Sequence, residues 1–201
     1  MDNKLKNPFN IECIPCNEKA LDIQNKKNLK YNKVVHGYGD KGAKIVLVGE
    51  GPGKNGAAIT GIPFTKDESG KRIQITLINC GFGKGEENEV INNGDFLPNL
   101  NNVYLTNLFR FYGYKDLKDE NKRIIHNCSS EHLLKEILGL TKLKRIIAVG
   151  KIAQNELIKK KESLNFDKEI EYLEHPSPRN HKNREEWIQF AKNILLNKNL
   201  N

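Results

Sequence analysis

A chain of 201 residues suits one domain around one core, because chains divide only well beyond this length, and residues 1–201 are expected to form one domain. With 37% hydrophobic and 29% charged residues it is polar, and its longest apolar runs fall far short of the roughly 20 residues of a membrane-spanning helix, so no membrane association is expected. The net charge of +8 and pI near 9.2 draw polyanions, nucleic acid first among them, although lysine and asparagine abound throughout, as AT-rich coding sequence also produces.

Residues 1–33 are polar around Cys13-x-x-Cys16, show little periodicity, and read as a wrapping N-terminal segment. The opening MDNKLKNPFN has no apolar stretch behind its charges, which points to neither signal nor anchor and to a cytoplasmic location. Lys44 to Glu50 is a β-branched run ending at glycine, the pattern of a strand covered on both faces. A glycine-rich loop follows to Gly70, and Lys71 to Asn79 can form a short helix. Asn102 to Leu108 reads as the second strand. Asp119 to Leu138 spaces Ile124, Ile125, Cys128, Leu133, Leu134 and Ile137 close to a helical period, with Asp119 as its N-cap.

Arg145 to Gly150 repeats the strand-then-glycine pattern, and Lys151 to Lys161 continues as a helix. Ile170 to Leu173 is the fourth strand, His175 to Asn180 a proline-containing loop, and Arg184 to Leu196 an amphipathic helix. Strands alternating with helices imply a three-layer α/β/α domain on a four-stranded parallel sheet. Ligands of such sheets sit at the carboxyl ends of the strands, here the loops after Val48, Thr106, Val149 and Leu173.

Three readings compete for the loop from Gly49 to Gly56. A phosphate-binding P-loop needs four residues between its first glycine and the Gly-Lys pair and then a hydroxyl; Gly49 to Gly53 leaves three, and Asn55 stands where the hydroxyl should. Gly51 to Gly56 fits the dinucleotide pattern G-x-G-x-x-G, but Ala57 to Thr65 carries Gly61 and Pro63, and no helix is expected to start in time to meet a pyrophosphate. In the third reading the loop shapes a pocket between Glu50 and Phe64.

Gly49-Glu50-Gly51-Pro52-Gly53 followed by Thr60-Gly61-Ile62-Pro63-Phe64 resembles the first motif of the uracil-DNA glycosylases, especially their fourth, iron-sulfur and thermophile-type family. Gly37 to Asp40 and Phe64 to Gly70 look more like the fifth family. Leu105-Thr106-Asn107, Val149 to Ala153 and His175 to Asn180 resemble further motifs of the superfamily, in the same order, over residues 34–192. The resemblance implies a monofunctional DNA-repair hydrolase of base excision repair, acting as a monomer, that flips uracil or another deaminated base out of DNA and leaves an abasic site.

It also implies roles. Phe64 would stack on the base and Asn107 read its edge, with Gly49 and Gly51 shaping the pocket. His175 would donate to the base oxygen as charge develops, and Glu50 would face the sugar and its water. Asp67 is the second candidate carboxylate, because the fifth family lacks the Glu50 equivalent. Ser177, Arg179 and Asn180 would contact DNA, and Lys54, Lys66 and Lys71 would add phosphate affinity.

The fourth family holds an iron-sulfur cluster on four cysteines. Cys13, Cys16 and Cys128 fall at three of those positions and Phe111 at the fourth, where no side chain can ligate iron. Completion by Cys80, His126 or His132, a three-cysteine, one-histidine zinc site, and plain burial of the thiols all stay open. The chemistry outlined requires no metal. A noncatalytic DNA-binding protein on the same scaffold and a dinucleotide-dependent enzyme are the alternative functions.

Overall fold

The computed structural model describes residues 6–93, 96–167, 169–179 and 183–197. The uninterrupted apolar run of strand β2 (Ile45–Gly49) is buried along its whole length, as are β5 (Val103–Asn107) and β6 (Arg145–Val149). With β1 (Tyr38–Gly39) and β7 (Ile170–Leu173) they form a sheet in the order β1-β5-β2-β6-β7. The four expected strands run parallel, and β1 adds a two-residue antiparallel edge on β5. Four parallel strands thus stand as the sequence indicates, with one more strand beside them.

Alternate residues of each strand serve opposite cores. Val46, Val48, Ile146, Ala148 and Ile170 pack under helices α1 (Ile14–Lys26), α5 (Asp119–Gly139) and α6 (Lys151–Lys159). Ile45, Leu47, Ile147, Val149 and Leu173 face α3 (Glu68–Asn79) and α7 (Arg184–Leu196). The result is the expected three layers. On the α3 side, α4 (Glu87–Asn92) and a small antiparallel pair, β3 (Gly83–Lys84) with β4 (Asn99–Leu100), extend the layer.

Several boundaries differ from the sequence reading, each for a local reason. The segment taken as aperiodic contains α1, whose buried Cys16, Ala20 and Ile23 recur at helical spacing behind a Cys13 thiol that accepts from the Cys16 amide at 3.3 Å. Lys118, extended, is the N-cap of α5, so Asp119 is its first helical residue, and Ile124 faces solvent. Asn102 has φ +60°, so β5 starts one residue later. Helix α3 begins three residues early because the Asp67 carboxylate accepts from the Gly70 amide at 2.8 Å and caps it.

One buried polar group ties β5 to α5. Arg110 reaches both oxygens of Glu136 at 3.0 and 2.9 Å, and Thr106 donates to the same carboxylate at 2.6 Å. Glu136 also receives the Gly37 amide at 3.3 Å. Among the described residues no helix is long and apolar enough to cross a membrane.

Candidate active site

The parallel register places Gly49, the last residue of β2, beside Asn107, the last of β5. A Cβ on Gly49 would lie 2.5 Å from Asn107 Oδ1 and 2.7 Å from Phe64 Cζ, so only glycine lets amide and ring approach each other. Asn107 is 3% exposed, and its amide has no hydrogen-bond partner among the described residues. What little of it reaches solvent lines a cleft of about 470 Å³ at the carboxyl ends of the strands. Gly49, Glu50, Gly51, Phe64, Asp67, Asn107, His175, Ser177 and Arg179 all line this one cleft. Asn180 lies outside the described residues.

Phe64 adopts φ +52° and Lys66 φ +70°, left-handed conformations that ordinary side chains avoid. Neighbours hold them there: Gln74 donates to the Phe64 carbonyl at 2.8 Å, and Gly70 packs so closely that a Cβ would sit 2.6 Å from the Thr65 nitrogen. The turn hands the chain from the ring directly to Asp67.

Asp67 explains the glycine-rich loop. A Cβ on Gly53 would lie 2.5 Å from Asp67 Oδ2, and one on Gly56 would collide with the same oxygen. The glycines therefore admit a protein carboxylate, whose charge would repel a pyrophosphate. A helix, α2 (Ala57–Thr60), does start after the loop, contrary to the sequence expectation, but it lasts one turn and stops at Gly61 with φ +77°. Burial holds the Asp67 carboxyl above the usual range, opposed by its hydrogen bond from Gly70 and by His175.

Glu50 accepts a short hydrogen bond from the Tyr114 hydroxyl and an ion pair from Lys115 Nζ at 2.5 Å, both on Oε1. Neither partner was indicated by the sequence, since they lie more than sixty residues downstream in a 3-10 turn (Tyr114–Asp116) with no motif of its own. Burial, then the bond to Glu50, raises the Tyr114 pKa, so the phenol keeps its proton and stays a donor.

His175 follows β7 on the far rim. Its Nδ1 accepts from the Ser177 amide at 3.2 Å, which leaves the proton of a neutral ring on Nε2. The residue is exposed at the cleft mouth, yet desolvation by the surrounding walls lowers its pKa, with Glu50 and Asp67 pulling the other way. Gly150, at φ +93°, backs the ring: a Cβ there would be 3.3 Å from His175 Cβ and Cδ2. The strand-glycine-helix step thus has its reason in the histidine. Buried Trp187 donates to the Glu174 carbonyl at 3.1 Å and anchors the base of this loop, and Ser177 Oγ accepts from the Arg179 amide at 3.2 Å.

The lysines separate. Lys54 lines the cleft, Lys66 borders an adjoining groove, and Lys71 donates to the Ile91 carbonyl at 2.8 Å. Glu68, also on the cleft and missed by the sequence reading, receives Arg184 at 2.8 and 2.7 Å and fastens the start of α7 to α3. Arg184 holds the Glu68 carboxyl below the usual carboxylate range.

Cys13, Cys16 and Cys128 interact with one another beneath α5, with fully buried Phe111 in the same apolar cluster. Burial, then Cys13, pushes the Cys128 thiol up to about 11. Cys80 packs in the core on the other face of the sheet, and His126 stacks edge-on against Phe109, 4.8 Å between centroids. His132 is buried beside Arg110 and Glu136. Phe111, at the fourth cysteine position, offers only carbon, and Cys80, the remaining cysteine, packs on the other face of the sheet, so these side chains do not complete a four-cysteine set.

This is an α/β domain with its cleft built from the loops that end its parallel strands. A family model described as the uracil DNA glycosylase superfamily matches residues 36–196, and the chain belongs to that superfamily. DNA is its substrate class, and glycosylase-type chemistry in base excision repair its general function. No curated protein matches the chain.

Proposed function

We propose that the chain is a monofunctional glycosylase that hydrolyses the bond between uracil and deoxyribose in DNA. The observation that carries this reading is the buried Asn107 side-chain amide, without a hydrogen-bond partner among the described residues, beside the Phe64 ring. An amide offers one donor edge and one acceptor, the complement of uracil's adjacent carbonyl and imide, and the ring supplies the face on which a flipped base stacks. Cytosine has donor and acceptor exchanged on that edge, so an Asn107 amide held in the uracil-reading orientation would leave a buried polar group unmatched.

Bond cleavage leaves negative charge on the base and positive charge on the sugar. His175, whose Nδ1 already accepts from the Ser177 amide, donates from Nε2 to the base oxygen as charge grows there. Glu50, with Oε2 left unengaged by its two partners, stabilises the sugar cation and orients water. Asp67, half-buried and capping α3, is read as the residue that shapes the pocket wall, with the second claim on the water. The step draws on no metal. Ser177, Arg179 and Lys54 contact phosphates, and the domain works as a monomer.

The test is a gel assay with single- and double-stranded oligonucleotides carrying uracil, hypoxanthine or xanthine. Alkali-labile abasic sites at uracil, without strand nicking by the protein itself, are expected. Salt-sensitive binding with no excision of any of the three bases would instead make the chain a noncatalytic DNA-binding protein.

A further inference from the structure

Glu50 stands between two clefts. On one side is the candidate base pocket; on the other a second cleft, of about 330 Å³, is lined by Glu50, Gly51, Tyr112, Tyr114, Lys115 and Asp116. Tyr114 is built into this partition. Its ring stacks face to face on Phe109, with centroids 3.8 Å apart and planes 11° apart, and the Phe109 amide donates to the Glu50 carbonyl at 2.9 Å. Main chain, ring stack and phenol therefore close a loop around one glutamate. The fit is tight, since a Cβ on Gly51 would lie 3.1 Å from Tyr114 Cε1. Gly113, at φ +84°, turns the chain so that the tyrosine comes under the loop.

We infer that Tyr114 is a positioning residue for Glu50: it clamps Oε1 from the second cleft so that Oε2 is the oxygen presented to sugar and water. This rests on the role given to Glu50 above. Tyr114 is 8% exposed, so its hydrogen bond is sheltered from water, whereas the ammonium of Lys115 is mostly exposed and contributes a weaker, salt-screened attraction. Both partners hold the same oxygen, and the phenol, fixed by its ring stack, also sets the rotation of the carboxylate. A carboxylate without the phenol would sample several rotamers and lose the alignment that an oriented water needs.

The test is a double-mutant cycle read by single-turnover excision of uracil, with oligonucleotide affinity measured alongside. Tyr114→Phe keeps the stacked ring and is expected to slow excision by about 10- to 100-fold while leaving affinity within about twofold. In a Glu50→Gln background the same substitution is expected to change the rate by less than about threefold, because there is no longer a carboxylate to position. Lys115→Ala, at an exposed site that endangers folding little, should slow excision a few-fold at low salt and match the wild type at high salt.

A wild-type rate in Tyr114→Phe, or equal losses in both backgrounds, overturns the positioning role while leaving the glycosylase reading intact. A wild-type protein that excises nothing overturns both.

Discussion

At Gly49 a hydrogen atom in place of a methyl group decides whether the pocket exists. Gly49→Ala places a carbon against Asn107 Oδ1 and the Phe64 ring, on a residue the backbone itself would tolerate. Excision is expected to fall by at least about 100-fold, with the thermal midpoint moved by only a few degrees; a rate near wild type would show that the two side chains do not work as a pair. Three of the residues proposed to meet the base and the sugar were legible in the sequence because they stand at or just after strand ends: Glu50, Asn107 and His175. Their supports were not. Tyr114 and Lys115 meet Glu50, and Arg184 meets Glu68, only through tertiary contact, and no spacing in the chain encodes it.

Helix α5 carries a titrating group of its own. His132 is 5% exposed, and burial followed by the neighbouring Arg110 lowers its pKa from the ordinary 6.5 to about 4, against the pull of Glu136. The unfolded chain then binds more protons than the folded one between those two values. Its contribution to stability is whole above pH 6.5, declines as pH falls through the window, and is gone below about 4. The amount at stake is on the order of 3 kcal/mol. Urea midpoints taken at about pH 7 and about pH 4.5 should differ less in His132→Gln than in the wild type, and an equal difference would remove this histidine from the acid response. Element by element, the long strands and α7 were readable because continuous or periodic burial writes itself into composition. The one-turn α2 and the edge strand β1 were not, because two to four residues carry no period and owe their conformation to what they pack against.

Across the whole molecule, the buried pair of Arg110 and Glu136 is the joint between the strand that ends in Asn107 and the long helix outside it. Burial alone would lower the Arg110 pKa, but Glu136 raises it above the ordinary value, so the guanidinium stays charged. Glu136→Gln keeps the shape but strands that charge, with an expected loss of about 3–5 kcal/mol of folding stability, measurable as a lower urea midpoint. Unchanged stability would mean that water reaches the guanidinium. The three-layer plan was visible in the alternation of strands and helices, while this joint was not, since neither residue belongs to a recognisable pattern. The chain has one tryptophan, and Trp187 holds the carbonyl of the residue just before His175. That bond makes the indole a built-in optical gauge of the histidine loop. Contact of DNA with the loop should shift its emission, so loading of substrate can be timed without a label, separately from the cutting that follows.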